Sequence, residues 1–326
     1  MHTVLVTGGT GFIGSNLCER LLTRGCRVRI LRRQGSDLRA IAGIDVEHRI
    51  GDILHPASLC TAVAGCDTVF HAAALVTFRK KKRAEQFEVN VRGTQNVVQA
   101  CLSAGVGRLV HVSSIAAIGH SEDGSPATEE TPYNWGATSA YRHTKHLGEE
   151  EVLTGIAQGL SAVIVNPSVV LGERDIRFHG GEIIRLVRKG MIPLYVDGGI
   201  NVAKVGDVVE GMIAAAEWGK AGERYILGGE NLTYKEVFVR AARLVGGRAP
   251  FARLPSPLLR ISARVVERVF EMVGADPPLT EEMVEGTTRY NWYSSEKAVR
   301  YLGYRITPFD EAVLAAYRWY KDNGLL

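Results

Sequence analysis

The sequence has few cysteines, and they follow no pattern that would hold a metal or a set of disulfides. The 326 residues include five cysteines, an odd number, with no C-x-x-C spacing and no histidine pair nearby at zinc-ligand spacing. There is also no run of about eighteen apolar residues, the length that a membrane-spanning helix needs. We therefore predict reduced thiols, no metal centre and no stable membrane insertion. A strand predicted from His2 leaves no room for a signal peptide, which favours a cytoplasmic protein.

Aromatic residues and net charge are low as well. Aromatics make up 7% of the chain, and the formal net charge is +4, from 39 Lys and Arg against 35 Asp and Glu. This small excess argues against a nucleic-acid partner, which needs a denser basic stripe. One basic run stands out, Arg79-Lys80-Lys81-Lys82-Arg83. We predict that it is a solvated loop or helix start, with an acidic substrate group or a membrane surface as the alternatives.

Strand and helix patterns alternate through the first two-thirds of the chain. Short runs rich in Val, Ile and Leu are separated by helical patterns, and this alternation predicts an α/β fold with a Rossmann-like, doubly wound parallel sheet. The predicted strands cover residues 4–6, 27–31, 46–50, 68–70, 109–112 and 162–165. The predicted helices between them cover residues 12–24, 56–63, 84–104 and 139–156.

Beyond about residue 172, helical patterns dominate. We therefore predict a dinucleotide-binding domain over residues 1–172, with elements up to about residue 230 returning to it. Residues 173–326 are predicted to form a smaller, mainly helical substrate lobe. Within this lobe, the stretch 257–273 is strongly amphipathic. We predict a helix that faces the core, with a lid over an apolar substrate or contact with a membrane surface as the alternatives.

A glycine-rich turn joins the first predicted strand to the first predicted helix. It reads Thr7-Gly8-Gly9-Thr10-Gly11-Phe12-Ile13-Gly14. Its G-x-x-G-x-x-G spacing differs from the common G-x-G-x-x-G fingerprint. Glycines at these places permit a tight turn and let the backbone approach a pyrophosphate, while the following helix presents free N–H groups to the anion. The turn therefore predicts a dinucleotide cofactor.

Two arginines bear on which dinucleotide is bound. Arg32 and Arg33 follow the second strand, and no acid appears before Asp37. An acid at this strand end would bind the ribose 2′-hydroxyl of NAD, whereas an arginine accommodates the 2′-phosphate of NADP. We therefore predict that NADP(H) is favoured over NAD(H), with two merely solvated arginines as the alternative.

Further along the same edge of the sheet, small and acidic residues leave room for the rest of the cofactor. Asp52, followed by Ile53, is placed to accept a hydrogen bond from an adenine amino group, or else it forms a turn or helix cap. Ala72 and Ala73 follow the fourth strand and would leave space for a flat ring or a ribose. His71, just before them, is predicted to be a packing residue.

Tyr141 and Lys145 form the predicted proton-transfer pair. They lie four residues apart on a predicted helix and therefore share one face. An ammonium beside a phenol stabilises phenolate, so we expect a lowered pKa for Tyr141. Ser114 ends the fifth strand, at the edge where open parallel sheets bind ligands, and its hydroxyl can hydrogen-bond a substrate carbonyl.

These motifs, together with Asn166-Pro167-Ser168-Val169-Val170-Leu171-Gly172, resemble the extended short-chain dehydrogenase/reductase superfamily. Within it, the chain most resembles the dihydroflavonol-reductase-like, NAD-dependent epimerase/dehydratase branch. The resemblance implies that Tyr141 is the acid–base, Lys145 its partner and a ribose ligand, and Ser114 the carbonyl donor. It implies a homodimer through the helices over 84–104 and 139–156. It also implies cofactor contacts for Thr10, Gly11, Phe12, Ile13, Ala73, Pro167 and Ser168.

The resemblance leaves more than one reaction open. A net reduction of a ketone or aldehyde by NADPH is favoured by Arg32 and Arg33. A nucleotide-sugar epimerase is the second possibility, but Ile200 stands where its diphosphate-binding arginine would be. A dehydratase would carry an Asp-Glu pair where this chain has Ile115-Ala116, which cannot transfer protons. A non-catalytic NADP(H)-binding regulator is the third possibility.

Overall fold

Seven parallel strands form the central sheet of the protein, which is described here from a computed structural model covering residues 2–136, 139–272, 277 and 280–326. The strands in this part of the chain are β1 (Thr3–Thr7), β2 (Arg27–Arg32), β3 (Glu47–Ile50), β4 (Thr68–His71), β5 (Arg108–Val112), β6 (Ala162–Pro167), β7 (Val169–Leu171), β8 (Leu194–Tyr195), β9 (Gly199–Lys204), β10 (Arg224–Leu227), β11 (Glu230–Thr233), β12 (Ala252–Arg253) and β13 (Tyr290–Asn291).

The α-helices lie mostly between these strands. They are α1 (Phe12–Thr23), α2 (Pro56–Val63), α3 (Arg83–Phe87), α4 (Gly93–Ala104), α5 (Ala140–Ala157), α6 (Glu182–Arg188), α7 (Val205–Trp218), α8 (Tyr234–Val245), α9 (Ser256–Met272), α10 (Glu281–Thr287), α11 (Glu296–Leu302) and α12 (Phe309–Asp322).

The strand order confirms the predicted doubly wound sheet. The order is β10-β6-β5-β4-β1-β2-β3, with every pairing parallel. The order reverses between β1 and β4, which opens a crevice at the carboxyl ends of these two strands. Alternate residues of β1 enter two cores: Val4 and Val6 pack with α1 and α7, whereas Leu5 packs with α2 and α4. Helices therefore cover both faces of the sheet.

The helix predicted over residues 84–104 is interrupted by one π-helical turn. The turn covers Glu88–Arg92, between α3 and α4. The Asn90 carbonyl accepts a hydrogen bond from the Thr94 hydroxyl (2.7 Å). The Asn90 side chain meanwhile pairs with both backbone groups of Leu75 (2.7 and 3.1 Å). These bonds fix the widened turn beside the loop that follows β4. Single π-turns within helices are frequent at functional sites.

The second lobe is built around a smaller sheet. Its order is β11-β9-β13, with β7 also pairing with β9. Helices α6, α8 and α12 pack on it and bury an apolar core of their own. Among the described residues, no helix combines the length and apolar character that a membrane span requires.

Helix α9 does not face the core, so that prediction was wrong. Five of its apolar side chains are exposed, with fractional exposures from 45% to 79%: Leu258, Ile261, Val265, Val269 and Met272. The buried positions of this helix include Ala263 and Glu267. The helix packs against the short α10, which covers only one side of a wide apolar stripe.

Candidate active site

The glycine-rich turn folds as a cradle between β1 and α1. Gly8 has φ +73, and a Cβ on it would lie 2.6 Å from the backbone of both Ala72 and Ala73. A Cβ on Gly14 would lie 2.2 Å from the Gly8 carbonyl oxygen. The Gly11 amide closes the turn by donating to that same oxygen (2.9 Å). The first glycine thus allows the turn, and the third allows the helix to approach the strand.

The N-terminus of α1 opens onto a cavity of about 280 Å³. No described side chain caps this helix, and its first turn carries no acid. Its first N–H groups are therefore available to an anion. Most of the predicted cofactor residues line this cavity: Gly8, Thr10, Gly11, Phe12, Arg32, Arg33, Asp52, Ile53, Ala72 and Ala73. Ile13 and Gly14 belong to the same turn, while Pro167 and Ser168 lie further along the sheet, at the end of β6.

The two arginines after β2 have different surroundings. The Arg32 side chain donates to His48 Nδ1 (2.8 Å) and to the Arg33 carbonyl (3.3 Å), whereas Arg33 is exposed. Asp37 binds Arg39 (2.7 Å), and this pairing lowers the pKa of Asp37 to about 2. The first carboxylate in the chain after β2 is therefore already engaged. Arg177 also lines the cavity, a cation that the β2 pattern could not reveal.

Asp52 takes the turn role that was the alternative prediction. Its Oδ1 accepts from the Leu54 amide (3.0 Å), which shapes the loop after β3. Asp52 nevertheless lines the cavity. Its second carboxylate oxygen remains the candidate acceptor for an adenine amino group.

A buried hydrogen-bond chain holds the end of β4 and was missed by the sequence reasoning. The Ala73 amide donates to Thr7 Oγ (3.3 Å), and Thr7 Oγ lies 2.7 Å from His71 Nδ1. His71 Nε2 lies 3.1 Å from Thr94 Oγ, which itself donates to the Asn90 carbonyl. His71 Nε2 therefore carries the proton, and burial lowers the pKa of His71 to about 3. His71 is buried as predicted, but it also fixes the alanines that line the cavity.

Tyr141, Lys145 and Ser114 come together at the carboxyl end of β5. Lys145 Nζ donates to the Val112 carbonyl (2.9 Å) and ties α5 to that strand. The Ser114 hydroxyl accepts from the Ala116 amide (3.1 Å) and interacts with the Tyr141 hydroxyl. Tyr141 lies in the first turn of α5. This is the grouping that the sequence predicted.

The protonation of this group differs from the expectation. Burial raises the pKa of Tyr141 above its ordinary value, although hydrogen bonding by Ser114 opposes the rise. Burial also lowers the pKa of Lys145 to about 8, with Glu149 opposing. The expected lowering of the pKa of Tyr141 by the lysine is not found: desolvation dominates, and Ser114 is the group that opposes it. At neutral pH, Tyr141 holds a proton that it can donate.

Glu149 lies one helical turn beyond Lys145 and is only 2% exposed. Its carboxylate accepts from Asn166 Nδ2 (2.6 Å) and pairs with Arg224 (3.4 Å). The Asn166 amide also donates to the Ser114 carbonyl (2.9 Å). Glu149 therefore connects α5 to β6, to β10 and to the loop that carries Ser114. The i, i+4 spacing from Lys145 was the available sequence signal.

The buried lysine predicts a stability gain at alkaline pH. Its pKa falls from 10.5 to about 8 on folding, so between these values the folded protein binds fewer protons than the unfolded chain. This group's stabilising contribution is complete above pH 10.5 and is lost as the pH falls through about 8. From about pH 7 to about pH 9.5, wild type should gain about 2 kcal/mol of unfolding free energy relative to Lys145→Met.

Urea denaturation of both proteins at the two pH values measures this difference. Lys220→Met removes an exposed lysine, 79% accessible, and serves as the control, with a difference near zero. Equal pH dependence in wild type and Lys145→Met would contradict the burial argument.

Comparison with known proteins places this geometry in a family. The profile of the NAD dependent epimerase/dehydratase family matches residues 4–228. A protein of Synechocystis sp. assigned as a dihydroflavonol 4-reductase is 35% identical, over 98% of this chain and 94% of the relative. Sterol demethylase protein B of Methylococcus capsulatus is 32% identical, over 99% of this chain and 100% of the relative.

A solved structure agrees with the fold. The crystal structure of a nucleoside-diphosphate-sugar epimerase from Pseudomonas aeruginosa has a TM-score of 0.83, with 28% identity over 100% of this chain and 99% of that one. The chain belongs to the NAD dependent epimerase/dehydratase family, within the extended short-chain dehydrogenase/reductase superfamily. That family uses a nicotinamide dinucleotide, and its members here include both oxidoreductases and epimerases.

Two features of the site fit such a cofactor. The glycine cradle leaves space where any Cβ would meet backbone. The Ser168 hydroxyl oxygen is buried, and within the described chain it has no hydrogen-bond partner. A cofactor group at that place would supply the missing hydrogen-bond partner.

Proposed function

We propose that this protein is an NADPH-dependent reductase that converts a ketone or aldehyde to an alcohol. The observation that carries the proposal is the contact between the Tyr141 hydroxyl and Ser114 at the ligand-binding edge of the sheet, where burial raises the pKa of the tyrosine. Net reduction consumes one proton per turnover, and a phenol whose pKa is raised by burial holds that proton at neutral pH.

Each residue of the group has a separate task in this reaction. When bound, the nicotinamide supplies a hydride to the carbonyl carbon. Ser114 donates a hydrogen bond that polarises the carbonyl oxygen. Tyr141 donates its proton to that oxygen as the C=O bond becomes C–O, which completes the alcohol. The Lys145 ammonium stabilises the phenolate that remains until a solvent proton replaces the one transferred.

The proposed preference for NADPH over NADH rests on the positively charged side chains near the end of β2. Arg33 is exposed at the cavity and Arg177 lines it, while Asp37 is held by Arg39. Cations without a free carboxylate suit a 2′-phosphate better than two ribose hydroxyls.

We propose a lipophilic carbonyl compound as the substrate class. The Phe78 ring contacts the Tyr141 ring edge-on, with centroids 6.1 Å apart, so an apolar group borders the proton donor. The relatives' names agree, because one refers to sterols and another to a dihydroflavonol. A small polar aldehyde would leave the apolar surface of Phe78 in contact with water.

Sugar epimerisation is the second candidate, supported by the related crystal structure. It would use a tightly held NAD that oxidises and then reduces the same sugar. Ile200 is buried in β9, at 6% exposure, and contributes no charge for a sugar diphosphate. Arg185, a possible substitute, is hydrogen-bonded to Glu182 (2.8 Å). A non-catalytic regulator that binds NADP(H) is the third candidate.

The cofactor carried by the purified protein tests these alternatives. We expect a protein without tightly held nicotinamide, which binds NADPH at least about tenfold more tightly than NADH. It should oxidise NADPH when lipophilic ketones are supplied. Tightly held NAD that does not exchange would overturn the proposal and support the epimerase.

Arg33→Ala provides the matched variant for the cofactor preference. Loss of one charge-assisted phosphate contact should weaken NADPH binding about 10- to 100-fold and leave NADH binding unchanged. Arg305→Ala, which removes an exposed arginine of the second lobe that does not line the cavity, is the control. Equal weakening of both cofactors by Arg33→Ala would refute the phosphate contact.

A further inference from the structure

The exposed apolar residues of α9 form one continuous stripe. We call Leu258, Ile261, Val265, Val269 and Met272 the α9 stripe. Their spacings of three, four, four and three residues place them on one side of the helix. Isolated exposed apolar residues are ordinary, but five on one helix face mark a contact surface.

Other exposed apolar residues lie on the same lobe. Phe251 is 82% exposed and lies a few residues before α9, and Met191 is 62% exposed. The Phe251 amide donates to the Pro193 carbonyl (3.0 Å), which brings these two segments together. The second lobe therefore exposes apolar side chains in addition to the stripe.

The basic run Arg79–Arg83 borders α9 and α10. Lys80 pairs with Glu267 of α9 (2.8 Å), and Arg83 pairs with Glu282 of α10 (3.6 Å). In both pairs the carboxylate is buried, at 9% and 11% exposure, while the cations are 55% and 47% exposed. Both cations are about half exposed beside these helices, each held by its carboxylate. The exposed polar side of α9 adds Arg260, Arg264 and Arg268, of which Arg264 pairs with Glu281 (2.9 Å).

We propose that the α9 stripe and the basic run form a docking surface for an anionic lipid bilayer. A helix with an apolar stripe bordered by arginines lies in the plane of a membrane interface, and its apolar side chains enter the headgroup boundary. The exposed basic side chains of the run and of α9 complement anionic lipid headgroups. A second copy is a poorer occupant, since two-fold pairing through α9 would bring two cationic borders close together.

This surface also borders the catalytic site. Phe78, whose ring contacts Tyr141, directly precedes the basic run. Ser139, the N-cap of α5, donates to Glu282 (2.7 Å), the same carboxylate that pairs with Arg83. Docking would therefore place Phe78 and the start of α5, beside Tyr141, near the bilayer. This part of the inference rests on the proposed function, and it supplies a source for a lipophilic carbonyl substrate.

Vesicle flotation tests the docking independently of catalysis. The full chain is mixed with phosphatidylcholine vesicles, with or without an equal share of phosphatidylglycerol. We expect binding that needs phosphatidylglycerol and weakens as salt rises. Val269→Asp should reduce binding at least about tenfold, because it places a negative charge in the stripe. NADPH binding in solution should be unchanged in this variant.

The matched control is Val299→Asp on α11. Val269 and Val299 are both 45% exposed helical valines, so both substitutions add the same charge at the same accessibility. Val299→Asp should bind vesicles like wild type. Absence of binding to the anionic vesicles, or equal loss in both variants, would overturn the docking surface. A dimer in sedimentation without lipid that Val269→Asp abolishes would assign the stripe to a second copy instead.

A failure of the proposed reductase activity would be visible separately. Vesicle binding without any carbonyl reduction would retain the docking surface and reject the proposed reaction. Carbonyl reduction without vesicle binding would retain the proposed reaction and reject the docking surface.

Discussion

Tyr141→Phe is expected to lower kcat for carbonyl reduction about 1000-fold or more, with the dissociation constant for NADPH changed less than about twofold. The substitution deletes the hydroxyl and keeps the ring that contacts Phe78. The protein then has no proton donor beside Ser114 when the carbonyl oxygen becomes negative. Steady-state kinetics with a lipophilic ketone, together with NADPH titration, measures both quantities.

Tyr133→Phe is the control for removing a tyrosine hydroxyl elsewhere. Its hydroxyl donates to the Gly136 carbonyl (2.9 Å) and has no part in the proposed chemistry. This variant should keep kcat within about threefold of wild type. Full turnover by Tyr141→Phe would exclude Tyr141 as the donor. Loss of NADPH binding in the same variant would instead indicate a structural role.

Local patterns were sufficient to predict the nucleotide-binding half. The first strand, the glycine turn and the first helix follow one another within about 20 residues, so the turn's environment is dictated by its own neighbours in sequence. The pairing of Tyr141 with Lys145 is equally local, because both lie on α5. The parallel, doubly wound arrangement of the six predicted strands follows from their alternation with helices, whereas β10 carried no comparable signal.

Other parts of the site depend on partners far away in sequence. The Thr7–His71–Thr94 chain joins residues from β1, β4 and α4. A histidine after a strand has no periodic signal that tells hydrogen bonding from simple packing. The raised pKa of Tyr141 likewise reflects burial by the whole fold. The i, i+4 pattern reveals the neighbouring lysine but not this burial.

Helix α9 illustrates a different limit. Amphipathic spacing establishes that one side of a helix is apolar, but it does not establish what covers that side. In most globular helices the cover is the protein's own core. Here α10 contributes too little surface, and the five stripe residues stay exposed. The same periodicity is therefore compatible with an apolar face buried in the core and with one exposed at the surface.

Gly8→Ala is expected to have a large effect on both stability and cofactor binding. The new Cβ would lie 2.6 Å from the backbone of Ala72 and Ala73, at φ +73. Backbone atoms cannot rotate away, so the loop after β4 must shift and the turn must open. We expect a loss of about 3 kcal/mol or more of unfolding free energy and a loss of NADPH affinity of about 100-fold or more. Urea denaturation and NADPH titration measure these changes.

Gly25→Ala separates backbone conformation from crowding. Gly25 has a similar φ of +77, but a Cβ there would meet nothing within 4 Å. Its substitution should lower the unfolding free energy by only about 1–2 kcal/mol and leave NADPH affinity unchanged, since only the left-handed conformation is penalised. If the two variants lost equal stability and kept equal affinity, close packing against Ala72 and Ala73 would not explain the glycine. A loss of affinity confined to Gly8→Ala would instead assign the turn to the cofactor.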